Sequence, residues 1–124
     1  MDPISDMLIR IKNAAGAGHE TVSMPYSRMK YEIARALERA RLVAGIQRKG
    51  KRVRKILEIG LLETGGFSSV RLLSGPGRRT YAAYRDLHRA PRGGVIILTT
   101  SKGIMTEREA RKEKVGGQLI AEVW

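Results

Sequence analysis

The stretch from Thr99 to Gly103 gathers three hydroxyls, one ammonium group and one glycine directly after the apolar run Val95–Leu98. Hydroxyls and amines can hydrogen-bond to anionic oxygens such as those of phosphate, and a glycine lets a ligand approach the backbone closely. Thr106 and Glu109 have the spacing of a helix capping box, so we expect a helix from about Thr106 whose free N–H groups point toward the same stretch. The residues alone leave two interpretations open: an ordinary turn between a strand and a helix, or a surface that holds an anion.

Two other stretches have the composition of an anion-binding surface. The first, Ser74–Tyr81, begins with a glycine-proline-glycine turn and then presents Arg78, Arg79 and Tyr81, whose ring can stack on a base. The second, Arg48–Lys55, carries six charges in eight residues on a predicted hairpin, as a phosphate clamp does. Each has a plainer interpretation: a solvated turn with Tyr81 half in the core, and a solvated hairpin tip.

Residues for enzymatic chemistry are scarce. His19 and His88 are far apart in the sequence, neither has the spacing of metal ligands, and the chain has no cysteine. Lys102-Gly103 reverses the order of a P-loop, Gly75-Pro76-Gly77 lacks the third glycine of a dinucleotide motif, and Ser101 lacks the glycines of a nucleophile elbow. We therefore expect no catalytic activity, no metal and no cofactor.

The charge of the chain favours a polyanionic partner. Its 124 residues carry 24 Lys and Arg against 12 Asp and Glu, a formal net charge of +12. Such a surface repels itself unless a polyanion neutralises it, so nucleic acid is the leading partner class and a membrane surface is the second. No apolar stretch approaches the ~20 residues of a membrane span and the N-terminus is acidic, which predicts a cytosolic protein.

The spacing of apolar residues predicts an α+β protein of two small domains packed on each other, residues 1–65 and 66–124. The first domain has the predicted order α-β-α-β-β, with elements at residues 3–16, 20–24, 28–42, 43–47 and 53–62. The second is predicted to be mostly β with a short helix from residue 106, a helical turn at 85–89, and strands at 69–73, 78–81, 95–98 and 118–124. Each domain has a net charge of +6, from 13 basic and 7 acidic residues in the first and 11 and 5 in the second. We therefore expect both to touch the polyanion.

Four motifs, in their order along the chain, resemble the family of ribosomal protein eight of the bacterial small subunit: Asp2–Leu8, Ser74–Tyr81, Leu98–Thr106 and Val115–Gly117. The resemblance covers the whole chain, and the Thr-Ser-Lys-Gly part of the third motif is highly specific. It implies an α+β protein of two small domains that binds the central domain of the small-subunit ribosomal RNA. It also implies a role in early subunit assembly and no enzymatic activity, and it favours the anion-binding interpretation of Thr99–Gly103.

Carried over position by position, the resemblance places the main RNA-binding loop in the second domain and further contacts in the first. Gly103, Arg78 and Arg79 are added to these on the strength of their residue types alone. The second-domain candidates are therefore Thr99, Thr100, Ser101, Lys102, Gly103, Tyr81, Gln118, Arg78 and Arg79. The first-domain candidates are Asn13, Ser27, Arg28 and Lys30.

The chain departs from the usual pattern of this family at several places. Thr99 stands where the family usually has serine, and Gln118 replaces a usual glutamate, which keeps an acceptor but removes a charge. Ala121-Glu122 replaces a usual Cys-Tyr pair, the segment Gly93–Val95 is one residue shorter than usual, and His88 stands where proline is common. These departures leave the expected fold intact.

Two functional hypotheses follow. The leading one is a structural constituent of the small ribosomal subunit in the cytoplasm, with small-subunit ribosomal RNA and neighbouring ribosomal proteins as partners. The alternative is a free-standing RNA-binding regulator of translation that acts on a messenger RNA mimicking the ribosomal site. One RNA-binding surface would serve both, so the residues do not separate them. Neither hypothesis involves a membrane or a small-molecule substrate.

Overall fold

The computed structural model describes residues 2–124. The chain divides into two units, of which the first ends at Ser68 and the second runs from Ser69 to Trp124. The described residues form three α-helices and two antiparallel sheets, which confirms the predicted α+β class. No helix among them is both long and apolar enough to cross a lipid bilayer.

The first unit combines two helices with a three-stranded antiparallel sheet in the predicted α-β-α-β-β order. Its elements are α1 (Pro3–Gly16), β1 (Thr21–Pro25), α2 (Arg28–Arg39), β2 (Gly45–Lys49) and β3 (Ile56–Gly60). The order of strands in the sheet is β1-β3-β2, with α1 against β1 and α2 against β2. In β3, Leu57 and Ile59 are fully buried while Ile56 is 44% exposed, which is the period-two alternation of a half-buried strand.

The start of α1 follows from its first residues. The carboxylate of Asp2 accepts a hydrogen bond from the N–H of Ile4 at 3.2 Å, and Pro3 occupies the first helical position, where its missing N–H costs nothing. The apolar residues then recur every three or four positions, so that one face of the helix is buried by Ile4, Met7, Leu8 and Ile11.

The second helix begins as predicted but ends earlier. The hydroxyl of Ser27 accepts from the N–H of Lys30 at 3.2 Å, which caps α2 at its start. The prediction that α2 continues to Leu42 is wrong, because the chain leaves the helix at Arg41, whose φ is 61°, and the N–H of Leu42 turns back to the carbonyl of Leu37 at 2.9 Å.

The second unit is built on one antiparallel sheet. Its elements are β4 (Val70–Leu72), β5 (Thr80–Ala82), a 3-10 turn (Tyr84–Asp86), β6 (Val95–Thr100), β7 (Gly103–Thr106), α3 (Glu107–Glu113) and β8 (Gly117–Val123). The sheet has the order β4-β8-β6-β7, and β5 also pairs with β8. The helix packs on the sheet through a cluster of buried apolar side chains, Leu87, Leu98, Met105 and Ala110, against which Ala82, Val115 and Leu119 also pack.

The predicted capping box starts α3. The N–H of Glu109 donates to the hydroxyl of Thr106 at 3.3 Å, and the N–H of Thr106 donates to a carboxylate oxygen of Glu109 at 3.0 Å. These reciprocal bonds confirm the helix predicted from about Thr106, although a strand that was not predicted, β7, leads into it.

Two glutamates are buried in the second unit, where an unpaired carboxylate is costly. Glu122 is 2% exposed, and its Oε1 lies 3.2 Å from Nη1 of Arg92, whose guanidinium carbon also lies 4.6 Å from the centre of the Trp124 ring. Arg92 thus pairs with one oxygen of an acid that stands where the family usually has tyrosine, while Oε2 of Glu122 has no hydrogen-bond partner within residues 2–124. Glu107 is fully buried, and its Oε1 accepts from the N–H of Ile96 at 3.1 Å, while Oε2 has no hydrogen-bond partner among the described residues.

Burial raises the pKa of Glu107 above its ordinary value, because the apolar surroundings penalise the charged carboxylate. The N–H of Ile96 and the positive charges of Arg108 and Arg111 act in the opposite direction and are the smaller causes. The folded state therefore holds this proton to a higher pH than the unfolded state does. As the pH rises from the ordinary pKa to the raised one, the free energy of unfolding must fall, and above the raised pKa this contribution is constant.

We expect Glu107→Gln to remove this pH dependence, because the amide oxygen still accepts from Ile96 but does not titrate. The stability of the variant relative to the wild type should increase as the pH rises above the ordinary pKa of a glutamate, which thermal melts at a series of pH values measure directly. Glu63→Gln, at an exposed position with no ion-pair partner among the described residues, is the control. Parallel stability curves for wild type and Glu107→Gln would contradict the assigned pKa shift.

Candidate nucleic-acid interface

The stretch Thr99–Gly103 is the end of a β-hairpin. Strand β6 continues through Thr100, Ser101 and Lys102 form the turn, and β7 leads back from Gly103. The interpretation of the stretch as a strand-to-helix turn is therefore wrong. The helix starts only after β7, at the opposite end of that strand, so its free N–H groups do not face the turn as expected.

Hydrogen bonds from one threonine explain why the chain reverses here. The hydroxyl of Thr100 donates to the carbonyl of Gly103 at 2.8 Å and accepts from the N–H of Lys102 at 3.1 Å. Gly103 has a φ of 112°, a backbone conformation that favours glycine. Because its one proton is already donated within the turn, Thr100 shapes the hairpin and keeps only acceptor capacity for a ligand.

The two residues at the tip of the hairpin are exposed but differ in their partners. The hydroxyl of Ser101 has no hydrogen-bond partner among residues 2–124, so both its donor and its acceptors are free. The ammonium of Lys102 lies 3.2 Å from a carboxylate oxygen of Glu113 at the end of α3, and both side chains are about half exposed. The tip therefore offers one neutral group that is free and one charge that is already partly neutralised.

Three predicted residues lie in one row across three strands. Thr99 in β6 is directly opposite Gln118 in β8, and Gln118 is directly opposite Tyr81 in β5. Residues opposite each other project from the same face of a sheet, about 4.5–5.5 Å apart at Cβ. Tyr81 is 67% exposed, so the interpretation that placed it half in the core is wrong. The row Tyr81–Gln118–Thr99 presents an aromatic face, an amide and a hydroxyl side by side.

Two glycines make this row possible. Gly117 lies opposite both Thr100 and Ala82, and a Cβ at Gly117 would overlap the carbonyl oxygen of Thr99. A Cβ at Gly116 would likewise overlap the carbonyl oxygen of Ala82. A side chain at either position would push β8 away from its neighbours and separate the members of the row.

The turn before β5 is anchored to β8. Backbone hydrogen bonds of 2.7 and 3.1 Å join Gly75 and Arg78. The hydroxyl of Ser74 donates to the carbonyl of Leu119 and accepts from the N–H of Thr80 at 2.9 Å. The predicted tight turn is thus held to the sheet. Arg78 and Arg79, which directly precede β5, are exposed to solvent.

Three of the four RNA-binding candidates of the first unit lie together at the start of α2, and the fourth lies on α1. Ser27 caps α2, and its hydroxyl is used there. Arg28 is exposed, and Lys30 donates to the carbonyl of Pro25 at 3.3 Å. Asn13 is exposed on α1, and no hydrogen bond or ion pair among the described residues joins it to this group.

A cluster of aromatic and basic side chains in the first unit has no counterpart among the sequence-based predictions. The rings of Tyr26 and Tyr31 lie 6.0 Å apart, the guanidinium of Arg48 lies 4.9 Å from the Tyr31 ring, and the ammonium of Lys55 lies 5.6 Å from the Tyr26 ring. These residues belong to different elements, so their spacing in the sequence carries no signal of the contact. The cluster shows that two cations of the Arg48–Lys55 stretch pack against rings and are not merely solvated.

Residues 2–124 contain no group of three or more His, Cys, Asp or Glu side chains that could hold a metal ion. The groups that converge in the second unit are hydroxyls, an amide, an aromatic ring and a lysine. Such groups can hydrogen-bond to ribose and phosphate oxygens and stack on an unpaired base, which is the chemistry of RNA recognition.

Known proteins match the whole chain. The model of the family described as ribosomal protein S8 matches residues 2–124. A relative from Mycoplasmopsis agalactiae, named small ribosomal subunit protein uS8, is 42% identical over 127 aligned positions, which cover 99% of this chain and 97% of the relative. Relatives of the same name from Thermus thermophilus and Synechococcus sp. strain RCC307 are 44% and 43% identical, over 99% of this chain and 98% and 97% of the relatives. These matches confirm the resemblance seen in the motifs, and the chain belongs to the ribosomal protein S8 family.

Proposed function

We propose that this chain is a structural constituent of the small ribosomal subunit that binds the central domain of the small-subunit ribosomal RNA directly and supports subunit assembly. Its partners are that RNA and neighbouring ribosomal proteins, it acts in the ribosome, and its role requires no enzymatic activity. Membership of the ribosomal protein S8 family supports the proposal, as do relatives that are named small ribosomal subunit proteins. No observation favours a free-standing regulator of a messenger RNA.

The observation that carries the proposal is the free hydroxyl of Ser101 beside the row Tyr81–Gln118–Thr99. These groups are neutral and fixed by a hairpin and by strand pairing, so they can discriminate between RNA shapes without long-range attraction. In A-form RNA the wide minor groove presents 2′-hydroxyls, which donate and accept hydrogen bonds. Specificity then comes from the second unit.

Affinity without specificity comes from phosphate contacts, to which the first unit contributes. Arg28 and Lys30 stand at the start of α2, and the helix leaves unpaired N–H groups and a positive dipole end beside them. Contacts of this kind release counterions from any RNA, so they strengthen cognate and unrelated complexes alike.

We expect Ser101→Ala to weaken binding to small-subunit RNA by about 1–3 kcal/mol, because it leaves a buried polar group of the RNA without a partner. It removes no charge, so the dependence of affinity on salt should not change. Lys102→Ala should lower both the affinity and the salt dependence. Filter binding at several salt concentrations, with thermal melts to confirm folding, measures both effects.

The control is Ser68→Ala, which removes an exposed hydroxyl from the end of the first unit. It should leave binding unchanged. Wild-type affinity for a folded Ser101→Ala variant would show that this hydroxyl does not read the RNA.

We expect the double variant Arg28→Gln, Lys30→Gln to weaken binding to small-subunit RNA and to an unrelated RNA of the same length by similar factors. The log–log slope of affinity against salt should flatten by about one unit for each phosphate that the variant no longer neutralises. Arg35→Gln, on the same helix, is the control and should leave the slope unchanged. A weaker affinity for small-subunit RNA alone would contradict this assignment of Arg28 and Lys30 to sequence-independent binding.

A further inference from the structure

Most of the basic residues of the second unit are outside the hairpin tip in the sequence. Of its 11 Lys and Arg residues, seven fall in two short segments, residues 85–92 and 108–114, whereas the tip itself has only Lys102. The proposed RNA-reading groups are mostly neutral. The concentration of charge on the two segments therefore has no role in the site described above.

The acidic side chains of the unit neutralise only some of these charges. Glu107 is buried against the backbone of β6, Glu109 belongs to the capping box, Glu113 is paired with Lys102, and Glu122 is paired with Arg92. Only Asp86 remains, exposed on the 3-10 turn. By contrast, four exposed cations have no ion-pair partner among residues 2–124: Arg85, Arg89, Lys112 and Lys114.

The two segments that carry these four cations pack on each other, and we call their exposed surface the α3 face. Leu87, between Arg85 and Arg89, is 7% exposed and belongs to the same buried cluster as Ala110 of α3. The backbone of Gly116 lies directly against Ala82 and Tyr84, since a Cβ at this glycine would overlap backbone atoms of both residues. The segment that carries the two arginines thus packs against α3 and against the chain that follows the helix, and the two lysines lie where the helix ends.

The α3 face is continuous with the hairpin tip. The ammonium of Lys102 lies 3.2 Å from a carboxylate oxygen of Glu113, so the tip is close to the end of α3, and Lys112 and Lys114 flank Glu113 in the sequence. An RNA that presents its minor groove to Ser101 would carry its backbone phosphates past these lysines. Because the backbone that carries these cations is already packed, it does not have to be ordered when they contact phosphates.

We propose that the α3 face binds the sugar–phosphate backbone of the same RNA that the hairpin reads. This inference rests on the proposed function. The positive charge of the α3 face favours a polyanion as its partner. Because the face is continuous with the hairpin tip, we expect that polyanion to be the RNA bound at the tip and not a separate partner. A lipid surface fits less well, because an interfacial helix needs an apolar outer face, whereas the outer positions of α3 are Arg108, Lys112 and Glu113.

The test compares two quadruple variants of the full chain in binding to small-subunit ribosomal RNA. In the first, Arg85, Arg89, Lys112 and Lys114 are all changed to Gln; in the second, the arginines become Lys and the lysines become Arg. We expect the first variant to lower the log–log salt slope by roughly two to four units and the affinity at low salt by at least about tenfold. The charge-preserving variant should keep the wild-type slope.

Several outcomes would overturn the inference. One is a wild-type slope for the folded Gln variant, and another is an equal decrease of slope in the charge-preserving variant. Abolished binding to phosphatidylserine vesicles with an unchanged RNA slope would assign the face to lipid. If the quadruple Gln variant does not fold, the double variants Arg85→Gln, Arg89→Gln and Lys112→Gln, Lys114→Gln should each show about half of the slope change.

The proposed function can fail separately. If the wild type shows no preference for small-subunit RNA over an unrelated RNA of equal length, the proposed function is wrong. The difference in salt slope between the two quadruple variants on either RNA still decides whether the α3 face binds phosphates, because phosphate binding requires no sequence preference.

Discussion

The pairing of β8 with β5 on one side and with β6 on the other is the constraint on which the second unit depends. β8 is the only strand of that unit, among the described residues, that pairs with three others, and its Gly117 lies opposite Ala82 of β5 and Thr100 of β6. Only glycine fits at position 117, because the Cβ of any other residue would overlap the carbonyl of Thr99. Moving β8 outward would dismantle the row Tyr81–Gln118–Thr99 and the anchor of the turn at Ser74 together.

The hydroxyls of the hairpin differ in their surroundings, because one is used within the turn and another is free of hydrogen bonds. A two-residue turn needs its own hydrogen bonds, and Thr100 supplies them by bonding to Gly103 and Lys102. That leaves Ser101 free at the tip and Thr99 in the row. The residue types in this stretch are therefore not equivalent, although they look alike in the sequence: one hydroxyl maintains the backbone that presents the other two.

The sequence predicts correctly the features that depend on residues close together in the chain. The cap at Asp2, the capping box at Thr106 and the apolar face of α1 each depend on residues within one or two helical turns, and all three are present in the structure. The predicted end of α2 lies beyond the observed one. The helix stops at Arg41, which has a left-handed backbone conformation, and an arginine in the sequence does not indicate that conformation.

The features that depend on long-range pairing were beyond local reasoning. Strand β7 contains only four residues and leads directly into the helix. Its two apolar residues, Ile104 and Met105, are too few to show the repeating pattern that indicates a strand. The row of residues 81, 99 and 118 is assembled by two strand pairings, and only the family resemblance placed these residues together. The packing of Arg48 on the Tyr31 ring likewise had no signal in the spacing of the residues.

The central claim, that the hairpin end of the second unit lies on the central domain of the small-subunit RNA, can be tested by cleavage from a tethered reagent. The chain has no cysteine, so Glu113→Cys would place one iron chelate beside the hairpin tip, and Glu63→Cys would place one on the first unit as a reference. Hydroxyl radicals generated at position 113 should cut the RNA in a narrow cluster within the central domain, and the cuts made from position 63 serve as the reference. Complexes that form normally but show only background cleavage from position 113, or cleavage in another domain of the RNA, would contradict the account.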